Sequence, residues 1–316
     1  MSSTNASHVS EDTQVSGINS FSLYSESENK TKIRKVRRGK SVKNVFQNLK
    51  LYYNNLRGIK GKLISLAEIL EIKKPHVICL NETKLGEDVK VSIEGYEPYH
   101  NNNKKGEGGI IIGITKKISH LAVEIDRKTE EYESLWILIS NGITKIRVGC
   151  IYAPQESKTP GMKVYNEMYK HIKDHVEEAR KKGEKVLITG DFNCKIGNVI
   201  TGNKEEVSRS GRKLKELISK QDLHILNSNS KCEGKWTRIE GRCHSILDYI
   251  MVEEKEEKSL KKMKIDESKS WTPYSITPDR MIPSDHSAII AEFNWLLHGN
   301  EEKEKEKFLS FRKKPS

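Results

Sequence analysis

From Phe46 onward, short apolar runs alternate with polar turns and charged amphipathic stretches. "HVICL", "GGIIIGI" (Gly108 to Ile114), "SLWILI" (Ser134 to Ile139), "KIRVGCIYA" (Lys145 to Ala153) and "KVLITGDFN" have the length and β-branched content of buried strands, as do "LHILN", "KWTRI", "SILDYIMV" and "SAIIAEF". Three segments follow helical spacing instead. "GKLISLAEILEIKKP" places Leu63, Leu66, Ala67 and Leu70 on one face and stops at Pro75; "VYNEMYKHIKDHVEEARKK" aligns Tyr165, Met168, Tyr169, Ile172 and Val176; "RKLKELISK" is a third helix. Many strands follow one another with no helix between them, which excludes a singly wound parallel sheet. Two packed mixed sheets with helices outside satisfy the pattern. Glu253 to Ser270, rich in Lys and Glu, reads as an exposed charged excursion between strands. No internal repeat is visible.

Composition adds a boundary. The first 29 residues are polar and carry only acids (Glu11, Asp12, Glu26, Glu28), whereas "KTKIRKVRRGKSVK" (30–43) carries eight basic residues and no acid. Residues 1–44 are therefore expected as a disordered N-terminal arm with a basic run suited to a polyanion or a nuclear import receptor, 45–296 as the folded domain, and 297–316 as a charged tail or linker. The formal net charge of +12 favours a nucleic-acid partner. The five scattered cysteines, with no CxxC pair, fit a reducing compartment. The chain has no apolar run of spanning length and no apolar leader, so the expected location is intracellular, in the nucleus, without a membrane partner.

The strand ends carry the candidate chemistry. "VLITGDFN" runs from a core strand straight into Asp191 and Asn193, which alternation would place on one side with Phe192 turned inward. "YYNNLRG" supplies Asn55 and Arg57, "CLNETK" Glu82 and Lys84, "CIYAP" Tyr152, "ILDYI" Asp248, and "PSDHSAII" Asp285 with His286. Any one of these alone is a turn residue or a cap. Together they form a plausible phosphodiesterase set: oxygen ligands for a hard cation, a histidine paired with a carboxylate, and donors for charge on phosphorus oxygens.

The order "NNLRG", "NETK", "YAP", "GDFN", "LDYI", "SDH" resembles the endonuclease/exonuclease/phosphatase superfamily over roughly Phe46 to Trp295, and most of all the endonuclease domain of non-LTR (LINE-type) retrotransposons. That resemblance implies a four-layered α/β/β/α sandwich of two mixed β-sheets flanked by helices, with the site at one end of the sheets. It implies Mg2+, with Mn2+ as the alternative, held by Glu82, Asp285 and Asn55, Asn54 being the alternative in the doubled "NN". His286 would contact the scissile phosphate or activate water, oriented by Asp248; Asp191 competes for the proton-transfer role; Asn193 holds the phosphate and Tyr152 stabilises developing charge. Arg57, Lys84 and Trp236 are expected to contact substrate.

The implied activity is magnesium-dependent nicking of DNA to leave a 3′-hydroxyl for primed reverse transcription. An abasic-site repair endonuclease and a catalytically silent DNA-binding derivative are the alternatives. No reverse transcriptase segment follows within the chain, so a fragment of a longer polyprotein and a domain serving another role both stay open.

Overall fold

Strand alternation sorts apolar residues onto two faces, and the computed structural model shows both faces covered. The structure describes residues 45–46, 48–158, 161–197, 206–277, 280–295 and 297–298. The expected arm (1–44, with the basic run 30–43) and residues 299–316 of the expected tail lie outside the described residues.

One sheet has seven strands in the order Cys232–Glu233, Leu260–Ile265, Ile289–Phe293, Leu49–Asn55, Val77–Asn81, Ile110–Thr115, Tyr96–Asn101. The other has six, in the order Leu223–Ile225, Asp248–Glu253, Lys185–Asp191, Lys145–Tyr152, Glu133–Ser140, Ala122–Lys128. Both are mixed: Leu49–Asn55 runs parallel to Val77–Asn81, and Lys145–Tyr152 parallel to Lys185–Asp191, among antiparallel neighbours. Between the sheets, Leu51, Tyr53, Cys79 and Ile112 meet Ile137, Cys150, Leu187 and Ile250.

Helices cover the outer faces and complete the four-layered α/β/β/α sandwich. Helix α1 (Leu63–Lys73) packs over Tyr52, Ile78, Leu80 and Ile111. Helices α2 (Lys163–Lys181) and α3 (Arg209–Lys220) pack over Trp136, Ile188 and Met251. The predicted α2 stripe is buried and continues through His175 and Ala179; each of Met168, Ile172 and Val176 contributes about 1.5–3 kcal/mol by leaving water. In α1, Ile69 is buried while Ala67 is exposed, and left-handed Lys74 (φ 48°) ends the helix before Pro75 is reached. Helix α3 starts three residues earlier than its apolar pattern because the Ser208 hydroxyl accepts from Gly211 N at 3.2 Å.

The charged segment 253–270 is not an excursion. A short 3-10 helix (Glu254–Ser259) leads into Leu260–Ile265, a strand paired with Ile289–Phe293, with Leu260, Met263 and Ile265 buried. A register irregularity between Leu260 and Lys262 offsets the alternation that would have revealed it. The partly exposed strands Tyr96–Asn101 and Ala122–Lys128 lie at the edges of the two sheets, and their burial lacks clean alternation. The "KWTRI" segment contributes only Arg238 and Ile239 to a short strand, Arg238–Glu240, which pairs with Cys243–Ser245 as a hairpin outside both large sheets.

Arg147 is buried between the six-stranded sheet and α2, 2.8 Å from Glu184 through Nε and 2.8 Å from Glu178 through Nη1. The described cysteines are all free. No helix among the described residues is long and apolar enough to cross a membrane.

Candidate active site

Glu133, Tyr152, Asp191 and Asp248 stand opposite one another in register across four adjacent strands of the six-stranded sheet. Each is the first or last residue of its strand. Each also has the parity of the residues that face the other sheet: Leu135 and Ile137, Cys150, Leu187, Ile250. The opposing sheet ends its own strands with Asn55 and Asn81, which pair with one another. Polar groups of both sheets thus converge where the apolar gap between the sheets opens to solvent. Gly190 makes the approach possible: at φ 154°, a Cβ there would lie 2.0 Å from the Ile151 carbonyl oxygen.

His286 Nδ1 lies 2.8 and 3.1 Å from the two oxygens of Asp248, which is fully buried. Tyr53 also donates to Asp248 Oδ1, at 2.6 Å. The other imidazole nitrogen, Nε2, faces Asp191 Oδ2 at 3.9 Å. Burial opposes the imidazolium, but the Asp248 carboxylate, its hydrogen bond, and the charges of Asp191 and Asp285 outweigh it and lift His286 to about 9. Burial, then the charge of Asp248, pushes Asp191 up to about 7. Burial first and the neighbouring Glu82 next hold the Tyr152 phenol far above its ordinary value, so it remains a proton donor.

Asn55 Nδ2 lies 2.9 Å from Glu82 Oε1 and 2.9 Å from Asp191 Oδ2, between two carboxylates that would otherwise repel. Its oxygen accepts from Arg57 N at 3.2 Å. Asn54 points to the opposite face and donates to the His286 carbonyl at 3.2 Å, so the doubled asparagine is resolved in favour of Asn55 as the residue at the carboxylates. Glu82 has a left-handed backbone (φ 49°), a conformation that L-residues seldom hold without support. The support is a turn opposite: Thr83 N donates to Gly109 O at 3.1 Å and Lys84 N to Gly108 O at 2.7 Å. Glu133 braces that turn by accepting from Gly109 N at 2.6 Å, and a Cβ on Gly108 would collide with its carboxylate. Burial pushes Glu133 up to about 7, against hydrogen bonds from Asn103 and Gly109.

Asp285 Oδ2 is gripped by Arg57 Nη1 and Arg238 Nε, each at 2.9 Å. Burial works in the other direction, but His286 and the two guanidinium groups outweigh it and hold this carboxyl below its usual range. Its second oxygen, Oδ1, is buried with no hydrogen-bond partner. That orphan oxygen and the Glu82 carboxylate line the same cavity, with the Asn55 amide hydrogen-bonded to Glu82 behind them, and such hard oxygen donors suit Mg2+. Asp191, Asp248 and His286 also bring one ligand atom each close together, but there the paired imidazole already supplies the positive charge between the acids. Asp126, His171 and His175 form another such group. Arg147 Nη1 lies 2.9 Å from His175 Nδ1. A guanidinium can only donate, so the His175 proton sits on Nε2, facing Asp126 at 3.0 Å, and no lone pair is left for a metal.

A cavity of about 740 Å³ is lined by Arg57, Glu82, Lys84, Tyr152, Asp191, Asn193, Arg238, Asp285 and His286. A larger one, about 1000 Å³, lies beside α1 away from these groups. Asn193 does not continue the strand: its backbone turns left-handed (φ 45°), its N–H donates to Asp191 Oδ1 at 2.9 Å, and its amide donates to the Ala153 carbonyl at 2.8 Å. Phe192 is buried as expected. Trp236 is not among the lining residues; its ring lies 5.5 Å from that of His244 in the 238–245 hairpin. Sequence reasoning missed Tyr53, Glu133 and Arg238. Arg238 follows Trp236 too closely in a polar segment to stand out, and Tyr53 looks like an ordinary core residue.

Residues 52–286 match the model of the family described as Endonuclease/Exonuclease/phosphatase family. No curated protein is similar enough to this chain to be matched. Among solved structures, the chain is similar to a Neisseria 3′ phosphatase (NExo) bound to a product DNA hairpin, at 18% identity and TM-score 0.60, covering 78% of this chain and 100% of that one. It is similar to the endonuclease domain of TRAS1, a telomere-specific non-LTR retrotransposon, at 16% identity and TM-score 0.55, covering 78% and 98%. It is also similar to an AP endonuclease (LMAP) from Leishmania major, at 14% identity and TM-score 0.61, covering 79% and 88%. At these identities the likeness is one of fold.

Proposed function

The chain belongs to the endonuclease/exonuclease/phosphatase family, and from that membership we propose a magnesium-dependent DNA endonuclease of retrotransposon type that nicks one strand and leaves a 3′-hydroxyl. Members of this family typically use a divalent metal. One observation carries the reading: His286, held by Asp248, shares a cavity with the carboxylates of Glu82, Asp191 and Asp285, and the cavity wall carries Arg57, Lys84, Lys105, Lys158 and Arg238 beside the acids Glu107, Glu130 and Glu131. Basic side chains next to carboxylates that can hold a divalent cation suit a phosphodiester, and the net charge of +12 favours a polyanion at longer range. The basic run 30–43 would add sequence-independent attraction and serve nuclear import.

In this proposal Glu82, Asp285 and the Asn55 oxygen would hold the metal, which would supply positive charge to offset that of the phosphate. His286 Nε2 and Asp191 Oδ2 face one point across 3.9 Å. A water placed there gives a proton to Asp191 or His286 as its oxygen bonds to phosphorus; the P–O3′ bond breaks, and the departing oxygen takes up a proton to become the 3′-hydroxyl. Asp248 keeps the imidazole oriented. The Tyr152 phenol and the Asn193 amide, both on the cavity wall, donate toward phosphorus oxygens.

The test is relaxation of supercoiled plasmid with Mg2+, comparing wild type with His286→Ala and adding EDTA. Metal-dependent nicking lost in the variant supports the proposal. Cutting confined to abasic-site DNA would make the protein a repair endonuclease, and DNA binding with no cutting would leave a binding role.

A further inference from the structure

The loop 266–272 follows the strand Leu260–Ile265 directly, and the pairing of Ile265 with Ile289 sets it against the segment 285–288 that carries Asp285 and His286. A buried carboxylate organises the loop. Asp266 Oδ1 accepts from Ser268 Oγ and Ser270 N, each at 3.0 Å, and Oδ2 accepts from Trp271 N at 2.8 Å and Thr272 Oγ1 at 2.9 Å. Tyr52 fixes the far side by donating to the Trp271 carbonyl at 3.3 Å. The turn wound around Asp266 leaves Lys269 left-handed (φ 59°), a conformation that costs an L-residue free energy and is held here by its neighbours.

Lys269 reaches back under His286. Its ammonium donates to the Asp285 carbonyl at 2.9 Å and to the Ser287 hydroxyl at 3.1 Å, one residue before the imidazole and one after it. Burial lowers this ammonium to about 8, against the pull of the Asp248, Asp285 and Asp266 carboxylates. Neighbouring bonds to the segment come from neutral groups. Ile239 N donates to the Asp285 carbonyl at 2.8 Å, Asn54 Nδ2 to the His286 carbonyl at 3.2 Å, Ser287 N to the Thr237 carbonyl at 2.7 Å, and Ala288 N to Thr272 Oγ1 at 3.1 Å. A hydrogen bond from an ionised donor is roughly twice as strong as a neutral one, so Lys269 adds the strongest grip to this set. It is not among the residues lining the active-site cavity, and it therefore acts on the segment from behind.

We propose that Lys269 is a positioning residue: by gripping the chain on both sides of His286 it holds the imidazole in line with Asp248 and Asp191 and aims Asp285 Oδ1 into the cavity. For its kinetic consequence the inference rests on the DNA reading above. A displacement of about 1 Å at reacting groups costs about 100-fold in rate, so loss of the clamp should appear in turnover and not in substrate binding.

The experiment pairs steady-state plasmid nicking with proton magnetic resonance of the His286 Nδ1–H, whose downfield signal reports the hydrogen bond to Asp248 and is assigned by its loss in His286→Ala. Lys269→Met keeps most of the side-chain length but removes the charge and the donors. It should lose or shift that signal and lower kcat about 100-fold with KM unchanged. Lys269→Arg, which keeps charge and donors, should retain the signal and most of the rate, and Lys261→Met, at an exposed position on the preceding strand, should change neither. A Lys269→Met protein with wild-type signal and kcat overturns the proposal, as does a rise in KM at unchanged kcat, which would make Lys269 a substrate contact. Should Lys269→Met not fold, Lys269→Gln, a neutral donor, is read by the same criteria. A wild type that shows the signal but does not nick plasmid overturns the DNA reading, while the signal in the variants still decides the clamp, so the two failures are told apart.

Discussion

The Tyr53 hydroxyl donates to Asp248 Oδ1 across 2.6 Å and so ties the seven-stranded sheet to the six-stranded sheet at the mouth of the cleft. Burial, and then the charge of Asp248, holds Tyr53 far above its ordinary pKa, so the donor does not titrate in the working range. Tyr53→Phe removes one of the two donors on a buried carboxylate. Urea unfolding should show a loss of about 1.5–3 kcal/mol, the range for a hydrogen bond to a charged group. Nicking should fall about tenfold with DNA affinity unchanged. Full activity in this variant would mean that His286 alone satisfies Asp248.

Glu82 is the acid that Asn55 and the left-handed loop present to the cavity. Glu82→Gln keeps the shape and the Asn55 contact but removes the charge. Mn2+ titration followed by electron paramagnetic resonance should show at least about 100-fold weaker binding, more than the loss typical of an outer-sphere partner. Metal affinity equal to wild type would move the metal to other ligands.

Glu133 should make stability pH-dependent. Its folded-state value of about 7 lies above the ordinary 4.5, so its proton stabilises the fold fully below about 4.5, and that contribution is lost as the pH rises through about 7. The swing is about 3 kcal/mol at most. Comparing wild type with Glu133→Gln by thermal unfolding from pH 4 to pH 8 isolates it. The difference should grow in favour of Gln with rising pH, and a constant difference would remove the burial argument.

Arg147 and Glu184 are both buried, at 2.8 Å. Arg147→Met strands the Glu184 carboxylate and should cost about 3–5 kcal/mol in urea unfolding. Arg147→Met with Glu184→Leu removes both charges and should recover much of that loss. A double variant as unstable as the single one would show that the site needs its shape more than its charge balance.

Much of this arrangement was legible because strand alternation and strand ends are written in the sequence. "GDFN", "CIYAP" and "LDYI" each placed an acid or phenol at the end of an apolar run, and the structure puts Asp191, Tyr152 and Asp248 in register. What was illegible depends on register between strands and on backbone turns. Glu133 looked like one more acid in "TEEYES" until its pairing with Tyr152 set it in line with the others. Asn193 left the expected side because the chain turns at that residue. The strand Leu260–Ile265 hid behind a bulge inside a lysine-rich stretch. Arg238 reaches Asp285 from a hairpin whose position no local pattern encodes.

Glu133, Tyr152, Asp191 and Asp248 share one rung of the six-stranded sheet, and the turn Asn141–Thr144 lies at that sheet's other pole. A one-residue slip in any of the four strands would swing its polar residue out of the cleft and into the apolar layer beneath α2 and α3. Extra residues at the far turn would only lengthen a loop. Change along this chain is therefore polarised: one pole can absorb insertions freely, while at the other the spacing of every strand is fixed to the residue.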